Sequence, residues 1–226
     1  MLFRSERGFT ILFIAMLIID IVLNNIAGME LYGYTSKLVL LVFLLTFFLL
    51  NSGNLNRFER GFITLALIAF LAGEYFIMAG STIDIFTIGC ILIVFSKLLY
   101  CCAFIYRVDY DIDRILPYLV FTTLYSLTVI YFLYDLPGHL PAFLFLVFAL
   151  IVVKFAYLRF DRVDPRSFWL VMSGAILFLV SETVFVFHSE MRPFSSSSIF
   201  VLSGYGLAQY LIILGMLEQN TVEVSK

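Results

Sequence analysis

Charge is scarce in this chain. Only 13% of its 226 residues are charged, about half the ~25% of an ordinary soluble domain. The 14 Lys and Arg nearly balance the 16 Asp and Glu. No basic cluster is large enough to track a phosphate backbone, which excludes a nucleic-acid binder. The two histidines, His139 and His188, sit alone near the ends of apolar segments. No Cys/His spacing suits a zinc site, so no metal and no cofactor is expected. The three cysteines, Cys90, Cys101 and Cys102, lie inside apolar runs. They read as small hydrophobes, and a secreted disulfide scaffold is excluded. There is no Gly-x-Ser-x-Gly elbow, which argues against a serine hydrolase. What is abundant is hydrocarbon: 62% of residues are hydrophobic, 26 of them Phe, and the mean hydropathy is +1.05. One soluble core of this size cannot hide that excess. The chain is expected to be an integral membrane protein, all-α and polytopic.

A bilayer-crossing helix needs ~20 mostly apolar residues. Eight segments meet or nearly meet that length: about 8–27, 37–52, 61–80, 85–106, 115–134, 141–158, 168–188 and 199–217. The second is short. The Gly-rich stretch from Gly28 to Tyr34 reads as its connection to the first. The other breaks carry turn residues, at Asn51-Ser-Gly-Asn, Ser81-Thr-Ile-Asp, Leu136-Pro-Gly-His and Phe194 with four serines after it. Arg4 and Arg7 precede the first span, but no small-residue cleavage site follows it. It reads as an uncleaved first helix.

The basic residues set the orientation. Ten of the 14 fall in alternate connections: Arg4, Arg7, Arg57, Arg60, Arg107, Arg114, Arg159, Arg162, Arg166 and Lys226. The intervening connections hold only Lys37 and Arg192, while Lys97 and Lys154 lie within spans. Both termini are therefore placed in the cytoplasm. The bias suits a bacterial inner membrane and a eukaryotic endomembrane equally. All connections are short, so 1–226 reads as one transmembrane domain, its helices in one bundle. Any chemistry belongs within the bundle or at its mouth.

The third and seventh spans share a pattern. Ile68-Ala-Phe-Leu-Ala-Gly-Glu74 aligns with Ile176-Leu-Phe-Leu-Val-Ser-Glu182, near half the chain apart. Two readings stand: a parallel four-plus-four repeat, or chance coincidence of apolar heptamers.

An ionisable group in mid-span costs ~2.5–3.5 kcal/mol on insertion scales, and such residues face the interior of a bundle. Here they are Asp20, Glu74, Lys97, Lys154 and Glu182. Asp20, Glu74 and Glu182 fall in the outer halves of their spans, and Lys37 opens the second span from the same side. Lys97 lies near the middle, with a stem long enough to reach outward. Lys154, near the inner end, is placed to snorkel to the headgroups. Helical spacing adds Asn24 beside Asp20, a stripe of Lys97, Tyr100, Cys101 and Phe104, a pair Tyr205 and Gln209, and a weaker stripe of Thr122, Tyr125 and Ser126. This set is read as a polar cavity opening outward. The competing reading is a paired network that only joins helices.

At these residues the chain resembles the YhhN family, the integral membrane lysoplasmalogenase group, from about Tyr34 to Leu217. Thr35-Ser-Lys37-Leu is similar to the family's lysine-led segment, which usually continues with proline. Leu71-Ala-Gly-Glu74 resembles Leu-x-Gly-Asp. Phe95-Ser-Lys97-Leu-Leu-Tyr100 resembles Ala-His-x-x-Tyr. Val180-Ser-Glu182 and Tyr205-Gly-Leu-Ala-Gln209 resemble Ser-Asp and Tyr-x-x-Ala-Gln. The departures fall at the polar site. Both family aspartates are glutamates here, the histidine is Lys97, and the proline is Leu38.

The resemblance implies hydrolysis of the vinyl ether of a lysophospholipid, giving a fatty aldehyde and a glycerophospho-base. Vinyl ethers hydrolyse by protonation at carbon, and water attacks the resulting oxocarbenium ion. The reaction needs a carboxylic acid and a negative charge near the cation, as glycosidases do. On this reading Glu74 and Glu182 are catalytic, one as acid and the other stabilising the cation or orienting water. Lys37 and Lys97 receive the phosphate. Tyr205 and Gln209 bond the glycerol or the water, and Asp20 and Tyr100 line the substrate site. Two other classes remain open. One is a non-catalytic binder or transporter of a lipid or amphiphile. The other is a purely structural membrane protein.

Overall fold

The computed structural model describes residues 6–26, 28–80, 82–106, 112–133, 139–190 and 197–219. They form eight helices: α1 (Glu6–Asn25), α2 (Glu30–Asn51), α3 (Arg57–Ala79), α4 (Ile83–Ile105), α5 (Ile112–Leu133), α6 (His139–Tyr157), α7 (Pro165–Glu190) and α8 (Ser197–Leu217). In hydrocarbon a backbone must satisfy its own N–H and C=O groups, and a helix does so within one segment. Seven described helices are long and apolar enough to cross a membrane. In α6 the apolar run is shorter, Phe143–Tyr157. Two of the turn segments read from sequence, Leu136-Pro-Gly and Phe194 with the first of its serines, lie outside the described residues, as does Ser81.

One boundary differs from the sequence reading. The stretch up to Tyr34 is not all connection, because α2 starts at Glu30. Gly28 makes the turn, with φ +85, a conformation that costs glycine no Cβ clash. Gly33 is helical. A Cβ there would lie 2.6 Å from Asn24 Oδ1, so the glycine lets α1 and α2 approach closely. Lys37 therefore sits about two turns inside α2 rather than at its mouth.

The chain divides into two compact units, residues 1–103 and 104–226. In the first, Phe9 of α1 stacks on Phe47 and Phe43 of α2, with ring centroids 3.6 and 4.8 Å apart. Leu44 and Phe48 of α2 and Ile63, Ala66 and Phe70 of α3 are buried. Asn56 caps α3: its side chain accepts from Phe58 N, and Glu59 accepts from Asn56 N at 3.3 Å. Ser96 Oγ donates to Ala66 O at 2.8 Å and ties α4 to α3.

In the second unit α7 and α8 are in backbone contact. A Cβ at Gly174 would lie 2.8 Å from Ala208 O, and one at Gly204 would lie 2.7 Å from Ser181 Cβ. Small residues allow such approach where helices meet in lipid. Ser181 Oγ donates to Val201 O at 2.9 Å, and Ser167 Oγ to Gly215 O at 2.6 Å. Arg159, counted from sequence among the cytoplasmic charges, is fully buried in the turn after α6. Its guanidinium donates to Ser167 Oγ at 3.2 Å and to Gln219 Oε1 at 2.8 Å. By contrast, only 6% of α5's apolar span is buried within the chain, against 56% for α8. α5 presents Leu116, Leu119, Val120, Leu124 and Leu127 outward.

Candidate active site

Most of the polar residues singled out from sequence are buried, while Lys37 and Lys154 are half-buried. Asp20, Glu74, Lys97, Glu182 and Gln209 are each at most 4% exposed, with Tyr100 at 1% and Tyr205 at 8%. Lys97 and Tyr100 share the buried stripe of α4, and the Lys97 stem does not reach water.

In the first unit Lys37 of α2 meets Glu74 of α3, Nζ to Oε2, at 2.5 Å. Glu74 is buried and the Lys37 side chain is 20% exposed, and removing one partner would leave Glu74 an uncompensated buried charge. At the residue before Lys37 the chain is stitched to α1. Ser36 Oγ lies 2.5 Å from Asp20 Oδ1 and 2.8 Å from Gly33 O. Asn24 Nδ2 lies 3.1 Å from Asp20 Oδ1, 2.8 Å from Asp20 O and 3.3 Å from Gly33 O. Asp20 thus accepts from two neutral donors, and Lys37 and Glu74 are near enough for their charges to act on it. Asp20 is therefore held inside the α1–α2 junction. Ser36 entered the sequence reading only within the Thr35-Ser-Lys37-Leu segment and without a role; nothing in its spacing points across to α1.

In the second unit Glu182 of α7 is fully buried. Its Oε1 accepts from the Tyr205 hydroxyl of α8 at 3.3 Å. Phe178 packs edge-on against the Tyr205 ring at 5.1 Å and fixes it. Gln209 follows one turn further along α8. The next residue of α7, Thr183, donates to Leu179 O at 2.7 Å. Its oxygen is thereby left to accept from Tyr125 of α5, also at 2.7 Å. The weaker stripe on α5 therefore does carry a residue beside Glu182. Thr183 was not anticipated, because it reads as an ordinary helical threonine.

Among the described residues no group of three or more His, Cys, Asp or Glu could hold a metal ion. The arrangement instead offers general acid–base groups, a cation and hydroxyl donors within an apolar setting.

The fold and these clusters define a multi-pass helical membrane protein with ionisable side chains placed inside it. More narrowly, the chain belongs to the YhhN family, whose model matches residues 32–216. No curated protein and no solved structure matches it. The match begins after α1, so Asp20 lies outside it.

Proposed function

We propose that the chain is a lysoplasmalogenase-like hydrolase that cleaves the vinyl ether of a lysophospholipid, with Glu182 as the acid. The observation that carries the assignment is the Tyr205 hydroxyl, which donates to Oε1 of the fully buried Glu182 at 3.3 Å. A buried carboxyl with a phenol beside it suits proton transfer.

Glu182 gives its proton to the β-carbon of the vinyl ether, and the ether carbon becomes an oxocarbenium centre. Water adds to that carbon and returns a proton to Glu182. The hemiacetal then expels the glycerol oxygen as an alcohol and leaves the fatty aldehyde. Tyr205 and Gln209 hold the carboxyl and the water.

Aldehyde release from lysoplasmalogen by the purified protein in detergent tests this reading. Glu182→Gln is expected to lower it by about 10²–10⁴-fold, the range of general acid catalysis. Full activity in Glu182→Gln would falsify the assignment. No release from folded wild-type protein that still binds the lipid would favour a non-catalytic amphiphile binder.

A further inference from the structure

The two units repeat one set of contacts. α3 and α7 open on the same cap: Phe58 N donates to Asn56 Oδ1 at 3.5 Å, and Arg166 N to Asp164 Oδ2 at 3.2 Å. Cap and glutamate are equally far apart along the chain, Asn56 to Glu74 and Asp164 to Glu182. The following helix packs on each in the same register. In the first unit Ser96 Oγ donates to Ala66 O at 2.8 Å, and a Cβ at Gly73 would lie 2.9 Å from Gly89 O. In the second a Cβ at Gly174 would lie 2.8 Å from Ala208 O, and Ser181 Oγ donates to Val201 O at 2.9 Å. Adding 108 to the α3 numbers and 112 to the α4 numbers turns the first two contacts into the second two. Closely packed helix pairs meet at seven-residue intervals anyway. The shared register against cap and glutamate is what packing alone does not impose.

The same two offsets reach the polar clusters. They carry Glu74 to Glu182, Phe70 to Phe178, Ile93 to Tyr205 and Lys97 to Gln209. All of these residues are buried. Tyr205 gives Glu182 its phenol, and Phe178 packs on the Tyr205 ring. Ile93 has no polar atom to give, and Glu74 takes the Lys37 ammonium of α2 instead. The starts and ends of α2 and α6 place Lys37 level with residues 143–146, Phe-Leu-Phe-Leu, which offer no counterpart to it.

We propose that the chain is a tandem repeat of one four-helix unit, in which Glu74 and Lys97 are the counterparts of Glu182 and Gln209. The polar cluster of the first unit is the candidate acid site over again, with Ile93 in the place of Tyr205 and Lys37 supplying the partner that this change removes. The proposal goes beyond the hydrolase reading and is tested by unfolding, so a failure of aldehyde release leaves it standing.

The full-length protein is unfolded by heat in detergent. Lys37→Met is expected to lower Tm by about 5–10 °C, because it strands Glu74. In that background Ile93→Tyr is expected to unfold about 4 °C above Ile93→Phe, because a phenol at the counterpart of position 205 reaches Glu74. With Lys37 kept, or with Glu74→Met added, the two are expected to be level. Ile93→Tyr no more stable than Ile93→Phe in the Lys37→Met background would overturn the proposal, since position 93 would then not face Glu74 as 205 faces Glu182. A gain that survives Glu74→Met would overturn it as well. Should neither bulky side chain be tolerated at 93, Gln209→Lys decides, set against Ile212→Lys at another fully buried position of α8. The counterpart of 209 is a lysine, and the counterpart of 212 is Tyr100. Gln209→Lys is therefore expected to stay within about 5 °C of the parent, while Ile212→Lys loses about 10 °C or more. Equal losses would overturn the proposal.

Discussion

At the scale of single residues, a buried charge is informative through what holds it. Asp20 is 2% exposed and touches no cation directly; its acceptors are filled by Ser36 and Asn24. Asp20→Ala removes both partners at once, and a buried donor left unmade costs about 1–3 kcal/mol. Asp20→Asn keeps an acceptor and is expected to lose less than half as much. Thermal unfolding in detergent checks the order. If instead Asp20→Asn equals Asp20→Ala in stability, the charge rather than the hydrogen bonding is what α1 contributes. Sequence alone singled out Asp20, Glu74 and Glu182 because a carboxyl in an apolar run is costly and conspicuous. It could not rank them, because Lys37 and Tyr205 reach their partners from other helices, and no period along one helix encodes that contact.

At the scale of elements, the two helix pairs that matter most are joined in different ways. α1 and α2 are joined by side-chain hydrogen bonds around Gly33, and α7 and α8 by backbone proximity at Gly174 and Gly204. Gly174→Leu must push α8 away from α7, because the atom it would meet is the Ala208 carbonyl oxygen. Overpacking of this kind costs about 1–3 kcal/mol, and the Tyr205–Glu182 bond is expected to open with it. Loss of thermal stability together with loss of aldehyde release is the expected result. A variant with normal stability would show that α7 and α8 can separate freely. The helices themselves were legible from length and hydropathy, since lipid demands both. The start of α2 was not. Two glycines and two tyrosines look like a connection until the neighbouring Asn24 is seen to fill the space that Gly33 leaves.

At the scale of the whole molecule, the sequence reading of orientation makes a direct prediction. Arginines and lysines alternate between connections, and both termini fall on the basic side. Tags at the two ends should be accessible from the cytoplasmic face alone. A tag protected on that face would invert the depth of every ionisable residue and place Glu182 in the inner half of the bilayer. The described residues form eight helices, as many as the segments read from hydropathy, of which seven are long and apolar enough to span and α6 has a shorter apolar run. The sequence was read as one transmembrane domain, and composition has nothing to say about the two compact units.

The buried Arg159 carries a consequence for how the chain is made. Its turn leaves the ribosome about 60 residues before Gln219, which it bonds, and Ser167 similarly awaits Gly215. During synthesis, at ~5–20 residues per second, the α6–α7 hairpin spends several seconds with these donors unmatched. Assembly of the second unit can therefore finish only after translation has passed α8. A chain interrupted before Gly215 would present an unsheltered arginine and serine to the membrane quality-control machinery.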